Sequence, residues 1–194
     1  VIEMPKRMMI IDVLKKTKYP EGTKMLIDFL KEECEKPYSG IKWCYMPKET
    51  YVKRMICRAF IDIGKEGVHI LEECISQYGV KQDDFAKRLI ITTGMAGDGK
   101  YFEIIVGYLL EDQDPWIREI SAFALGPIGH KRAIPYLEMA LKDDFCFKPK
   151  PDSSSDAIIS FLTDCPVREA AAGGLRALGV RIKRDGNVIW IDRE

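Results

Sequence analysis

Gly94-Met-Ala-Gly-Asp-Gly99-Lys100 holds the sharpest chemical promise in the chain, because it fits the G-x-x-x-x-G-K spacing of a phosphate-binding loop. Such a loop cradles phosphates with backbone N–H groups and needs a Ser or Thr hydroxyl after the lysine to hold magnesium. Tyr101 stands there instead. Leu89 to Thr93 could precede the loop as a strand, and Val188 to Asp192 could end a second strand in a metal-binding acid. A parallel sheet needs several further strands, whereas residues 101 to 179 carry a helical pattern. The glycines therefore read as a turn between paired helices. The only histidines are His69 and His130. Glu66 and His69 stand at i, i+3, yet one such pair is not a metal site. His130 follows Gly129 and reads as a partner for a helix dipole. Cysteines at 34, 44, 57, 74, 146 and 165 lack the short C-x2-C spacing of zinc sites. They read as small apolar fillers in a reducing cytoplasm, with Cys57 and Cys74 on buried helix faces. No G-x-S-x-G occurs. The expectation is no catalytic residue, no metal ligand and no cofactor.

The elements that would position any site are clearest between Asp112 and Asp144. Asp114 can cap a helix by accepting from orphaned backbone N–H groups, and Pro115 suits the first helical position. Ile117, Ile120, Ala124 and Ile128 recur at helical spacing and predict one buried stripe. Ala122 and Ala124 are small, so a neighbouring helix can come close. Gly129 ends the helix, since positive φ is cheap only there. Ile134, Leu137 and Leu141 form the stripe of a second, shorter helix. A pair with two apolar faces needs neighbours of its own kind.

Those neighbours can be aligned on a basic residue that follows an apolar one. Ile117-Arg118 leads to Ala122, Ala124, Leu125, Ile128 and Gly129. Val52-Lys53 leads in the same register to Cys57, Ala59, Phe60, Ile63 and Gly64, and Val167-Arg168 to Ala172, Gly174, Leu175, Leu178 and Gly179. Ala86-Lys87 starts a poorer copy through Ile91, Thr93, Gly94 and Gly97. The spacing is roughly 30 residues, with a longer last step that implies an insertion.

The residues Asp-Pro-Trp-Ile-Arg (114 to 118), Ala-Phe-Ala-Leu-Gly-Pro-Ile-Gly (122 to 129) and Ala-Ile-Pro-Tyr-Leu (133 to 137) carry a family resemblance. The pattern resembles the HEAT repeat, specifically the short HEAT-like repeats of phycobilin lyases. Residues 167 to 179 support it, residues 48 to 111 match it less well, and the chain before that matches it faintly. The resemblance implies stacked helix pairs and is poor in functional detail. It implies that Arg118 and Arg168 form a structural ladder between adjacent units. HEAT-like hydroxylases hold a di-iron centre through His-Glu pairs, and His69 and His130 are followed here by Ile70 and Lys131. HEAT-like DNA glycosylases use Trp, Asp and Arg on a basic concave face. Trp116, Asp114 and Arg118 supply those residue types, but capping and the repeat position already explain two of them.

Composition sets outer bounds. The chain has 194 residues, 46% hydrophobic and 31% charged, with 30 basic and 30 acidic residues. That balance suits an ordinary soluble globular chain and argues against a dedicated nucleic-acid binder. No apolar run approaches a membrane span. Val1 to Leu14 carries Glu3, Lys6, Arg7 and Asp12, so no signal peptide is read there.

Along the chain, residues 5 to 16 predict a first helix, Tyr19 to Gly22 a turn, and Thr23 the cap of a second helix with stripe Leu26, Phe29, Leu30 and Cys34. Residues 37 to 47 form a proline-bounded aromatic connection in which Trp43 and Tyr45 either plug a groove or recognise a partner. Residues 145 to 155 read as a Pro/Ser loop, with a short helix from Asp156 to Leu162. After Gly179 a second helix is missing, and Asp185-Gly186 between alternating runs predicts a hairpin that covers the last helix.

The reading is an all-α, right-handed α-solenoid with a small C-terminal β-hairpin, in one domain over 1–194. Its parts are a divergent unit at 1–47, central repeats at 48–144, an insertion at 145–163, and a last repeat helix with hairpin at 164–194. The second helices should line a concave face and expose Glu72, Glu73, Glu103, Tyr108, Glu138 and Lys142. With Trp43, these residues form the expected surface for a protein or peptide partner. The expected function is a non-catalytic scaffold. The alternatives are a phycobilin-lyase-type chromophore-handling subunit and, behind it, a HEAT-like DNA glycosylase.

Overall fold

The computed structural model describes residues 4–17, 20–36, 42–43, 46–146, 165–186 and 188–193. The expected helix at 156–162, and most of the expected insertion at 145–163, lie outside the described residues. The chain divides into two compact units, Val1–Ala96 and Gly97–Glu194.

The first unit holds α1 (Met4–Thr17), α2 (Pro20–Glu35), β1 (Lys42–Trp43), β2 (Met46–Pro47), α3 (Lys48–Ile63), α4 (Lys65–Tyr78) and α5 (Asp84–Met95). α3 is its centre and packs against α1, α2, α4 and α5. Its apolar positions Val52, Ile56, Ala59, Phe60 and Ile63 are all buried, which is the stripe that the i, i+4 spacing demands. Gly64 closes the helix at φ 89°, donating its N–H to the carbonyls of Phe60 and Ile61. α5 is buried almost all round, from Phe85 to Gly94 with only Lys87 partly outside. Asp83 caps it, accepting from the Ala86 N–H at 2.9 Å.

Leu89 to Thr93 therefore lie in a helix. The strand needed by a phosphate loop is not there, and Val188 to Ile191 belongs to an antiparallel hairpin. Two expectations near the start are corrected. Pro20, Glu21 and Gly22 are the first residues of α2, because proline is favoured at a first helical position. Thr23 is consequently a buried residue inside that helix and not its cap. The connection at 37–47 contains a minimal antiparallel ladder, Lys42 opposite Pro47 and Trp43 opposite Met46.

The second unit holds α6 (Phe102–Glu111), α7 (Pro115–Ile128), a 3-10 turn (Lys131–Ala133), α8 (Ile134–Ala140), α9 (Pro166–Ala177), β3 (Ile182–Asp185) and β4 (Val188–Ile191). α7 follows the expected design closely. Asp114 accepts from the Trp116 N–H at 2.9 Å, Pro115 opens the helix, and Gly129 closes it in the left-handed region at φ 76°. Ile117, Ile120, Ala124 and Ile128 are buried against α6 and α9.

A close seam runs between α7 and α9. A Cβ on Gly126 would lie 3.1 Å from the Gly174 Cα, and one on Gly174 would lie 3.0 Å from the Ala122 carbonyl oxygen. Small residues on both sides let the backbones meet. The hairpin pairs Ile182 with Ile191 and Asp185 with Val188, and β3 rests on α9 in the place of a missing second helix.

Cysteine placement departs from the expectation. Cys57 is a buried filler and Cys74 is only partly buried, but Cys146 and Cys165 are joined in a disulfide. Nineteen residues separate them, and no local spacing motif announces a bridge made by two distant ends returning to one place.

Candidate functional site

The recurring basic residues come first, because their role decides which surfaces remain for a partner. Arg118 grips Asp143 with two bonds, Nε to Oδ2 at 2.7 Å and Nη2 to Oδ1 at 3.1 Å. Its third nitrogen donates to the Asp112 carbonyl at 2.9 Å. Arg168 donates from Nε to the Asp143 carbonyl at 2.6 Å. One aspartate thus gathers a cation from its own helix pair and one from the next helix. In the first unit Lys53 Nζ meets Asp84 Oδ2 at 2.7 Å, and Arg88 Nε meets Asp84 Oδ1 at 2.8 Å. Burial works against the Asp84 charge, but Arg88 and Lys53 outweigh it and hold its carboxyl below the ordinary value. Arg88 is only 1% exposed, so this cluster faces no ligand. Paired, largely buried cations of this kind are struts.

These struts also settle the glycosylase residues. Trp116 is buried with its ring edge-on to Phe145 at 5.6 Å, Asp114 is a cap, and Arg118 is engaged by Asp143. The three sit in structural positions and do not form an exposed reading head. His130 is exposed and lies against the Phe102 ring at 5.4 Å, beside Arg132, which stacks on the same ring. His69 pairs with Glu73 at 3.3 Å and not with Glu66. Among the described residues, no group of three or more His, Cys, Asp or Glu is arranged to hold a metal ion.

A surface cleft of about 370 Å³ opens in the first unit, beside α4. Lys65, Val68, His69 and Glu72 line it at i, i+3, i+4 and i+7, which is one face of the helix. Ile61 and Gly64 supply the α3 side, and Ala96 supplies the end of α5. The lining mixes apolar Ile61, Val68 and Ala96 with Lys65 and Glu72, which carry opposite charges. His69 stands well out, at 71% side-chain exposure.

The structure places the expected partner residues unevenly. Glu72 lines the cleft. Glu103 is exposed on α6 and pairs with Arg132 at 3.0 Å. Glu138 on α8 pairs with Arg193 at 2.6 Å, and Lys142 lies exposed just beyond α8. Trp43 lies in the short ladder before α3. Tyr108 is a correction: expected on the surface, it is only 5% exposed. Ile105, Val106, Tyr108 and Leu109 together give α6 a wide buried face, and Tyr108 falls inside it. The sequence reading missed Lys65, Val68 and His69 as a group. Their signal was a lone valine at helical spacing among polar residues, straight after a helix-ending glycine.

The family described as PBS lyase HEAT-like repeat matches residues 117–143. The segment from Ile117 in α7 to Asp143 past α8 is a HEAT-like repeat of the kind found in phycobilin lyases. No curated protein matches the chain. The matched segment begins one residue before Arg118 and ends on Asp143, so this ion pair clasps the two ends of a single repeat. The bond from Arg168 reaches Asp143 from the next helix. The expected ladder between units is thus, in part, a clamp within one. Among the described residues, no helix is long and apolar enough to cross a membrane.

Proposed function

We propose that the chain is a non-catalytic HEAT-repeat scaffold that binds a protein or peptide partner. The observation that carries the reading is the α4 cleft, where apolar Ile61, Val68 and Ala96 line one opening together with Lys65, His69 and Glu72. Apolar centres with polar, mixed-charge rims are the anatomy of protein interfaces. A lining of both signs also suits a peptide better than a phosphate. Glu103, Glu138 and Lys142 in the second unit, and Trp43 in the first, are proposed as separate docking residues. A soluble, cytoplasmic setting belongs to the same proposal.

Chromophore handling is the second reading, favoured by the match to the PBS lyase repeat. The cleft volume ranks it second. At about 370 Å³ the cleft lies near the lower end of the roughly 300–1,000 Å³ that small-molecule sites occupy, and a linear tetrapyrrole is a large ligand.

A charge swap in the cleft tests the scaffold. Lys65→Glu with Glu72→Lys should leave stability within about 0.5 kcal/mol per site, as for ordinary surface changes. A partner recovered with the unaltered chain and then purified should bind the swapped chain at least about tenfold more weakly, a loss of about 1.4 kcal/mol. Equal binding to both chains would refute the cleft as the docking site. Bilin transfer to an acceptor protein in vitro, with no partner retained, would favour the second reading.

A further inference from the structure

The disulfide joins the end of the α7–α8 repeat to the start of α9, beside the Asp143 strut. Asp143 Oδ1 accepts the Phe145 N–H at 2.9 Å, which turns the chain toward Cys146. Cys165 is the residue before Pro166, at the N-terminal cap of the 12-residue α9, and its carbonyl accepts the first helical bond, from Glu169. The two cysteines are not equally exposed: Cys165 is 4% exposed, whereas Cys146 is part-exposed. The seat of α9 does not depend on the bridge alone. Gly126 meets Gly174, and Val167, Ala171, Ala172 and Leu175 are buried.

We infer that Cys146–Cys165 is a redox latch on the last repeat helix, and that Cys146 is its modification site for a small thiol such as glutathione. A glutathione thiolate attacks the Cys146 sulfur in line with the bridge. The Cys146–Cys165 bond breaks, a Cys146–glutathione disulfide forms, and Cys165 leaves as a thiolate. The N-terminus of α9 favours that leaving group, because unpaired N–H groups and the helix dipole stabilise negative charge there. A second glutathione thiolate attacks the glutathione sulfur of the mixed disulfide, releasing Cys146 as a thiolate and glutathione disulfide. Each sulfur of the bridge gains one electron, and two glutathione molecules are oxidised. Glutathione disulfide closes the latch by the reverse sequence. The other described thiols do not compete well: burial pushes Cys34, Cys57 and Cys74 toward the protonated, unreactive form. Opening leaves α9 on α7 and loosens its first turn, where Arg168 holds the Asp143 carbonyl.

The experiment maps the adduct. The aerobically purified chain is treated with limiting glutathione, quenched with acid and alkylating reagent, digested, and read by mass spectrometry. The expected result is two fewer free thiols than the six cysteines before treatment, and glutathione on Cys146 afterwards. Reduction should lower Tm by about 10 °C, as expected for a bridge closing a loop of this length. Hydrogen exchange should speed up at 165–169 and stay unchanged in α7. A Cys146→Ser/Cys165→Ser chain should melt at the reduced value and ignore reductant. Glutathione found on Cys165, a full set of six free thiols in the oxidised chain, or a bridge untouched by millimolar glutathione in the folded protein would each overturn the latch. The adduct map uses the unaltered chain and stands whether or not the serine variant folds.

Discussion

Ala124→Glu should lower Tm by about 15 °C or more, or abolish the cooperative melt. Ala124 is 0% exposed in the stripe that α7 turns inward. A carboxylate there is stripped of water with no cation placed to meet it, a penalty of several kcal/mol per ion after relaxation. The added atoms overpack the site by a further 1–3 kcal/mol or so. Against a typical total of about 5–15 kcal/mol, such a loss removes most of the stability. Phe123→Glu, one residue away on the exposed side of the same helix, is the control and should cost little. A melt of Ala124→Glu unchanged from the parent would mean that α7 is not packed as described.

Gly173 and Gly174 should respond to substitution with opposite signs. A Cβ on Gly173 meets nothing within 4 Å, so Gly173→Ala should gain up to about 1 kcal/mol from helix propensity. A Cβ on Gly174 would press on the Ala122 carbonyl oxygen at 3.0 Å and on Leu137 Cδ1 at 3.1 Å. The oxygen belongs to a helix backbone and cannot step aside alone. Gly174→Leu should therefore cost about 3 kcal/mol or more, by forcing α7 and α9 apart. Urea melts of both variants check the pair. Stabilisation by both would show that the α7–α9 seam has room to spare.

These two sites show what was legible beforehand. Ala122 and Ala124 announced a close helix contact because they are small, and Asp114, Pro115 and Gly129 announced the ends of α7 by cap chemistry. The phosphate-loop spacing at 94–100 fails because Tyr101 stands where a Ser or Thr is needed, and Leu89 to Thr93 are helical. What stayed hidden was tertiary. The Cys146–Cys165 bridge depends on two ends returning across the chain. The burial of Tyr108 depends on how wide a face α6 offers to its neighbours. The α4 cleft depends on how α3, α4 and the end of α5 come together, which composition does not display. Thr23 shows a local failure: it is a favoured cap residue, but Pro20 is an equally good start three residues earlier, and the buried position of Thr23 decides for Pro20.

The central claim is that Arg118 is a strut that clasps its repeat through Asp143 and is not a ligand reader. A double-mutant cycle on Arg118→Met and Asp143→Asn, read by chemical denaturation, tests it most directly. Both side chains are largely buried and joined by two charge-assisted bonds. The account predicts a coupling energy of about 1.5–3 kcal/mol between the two substitutions. Losses that simply add, to within about 0.5 kcal/mol, would contradict it and return Arg118 to the list of residues free to bind something else.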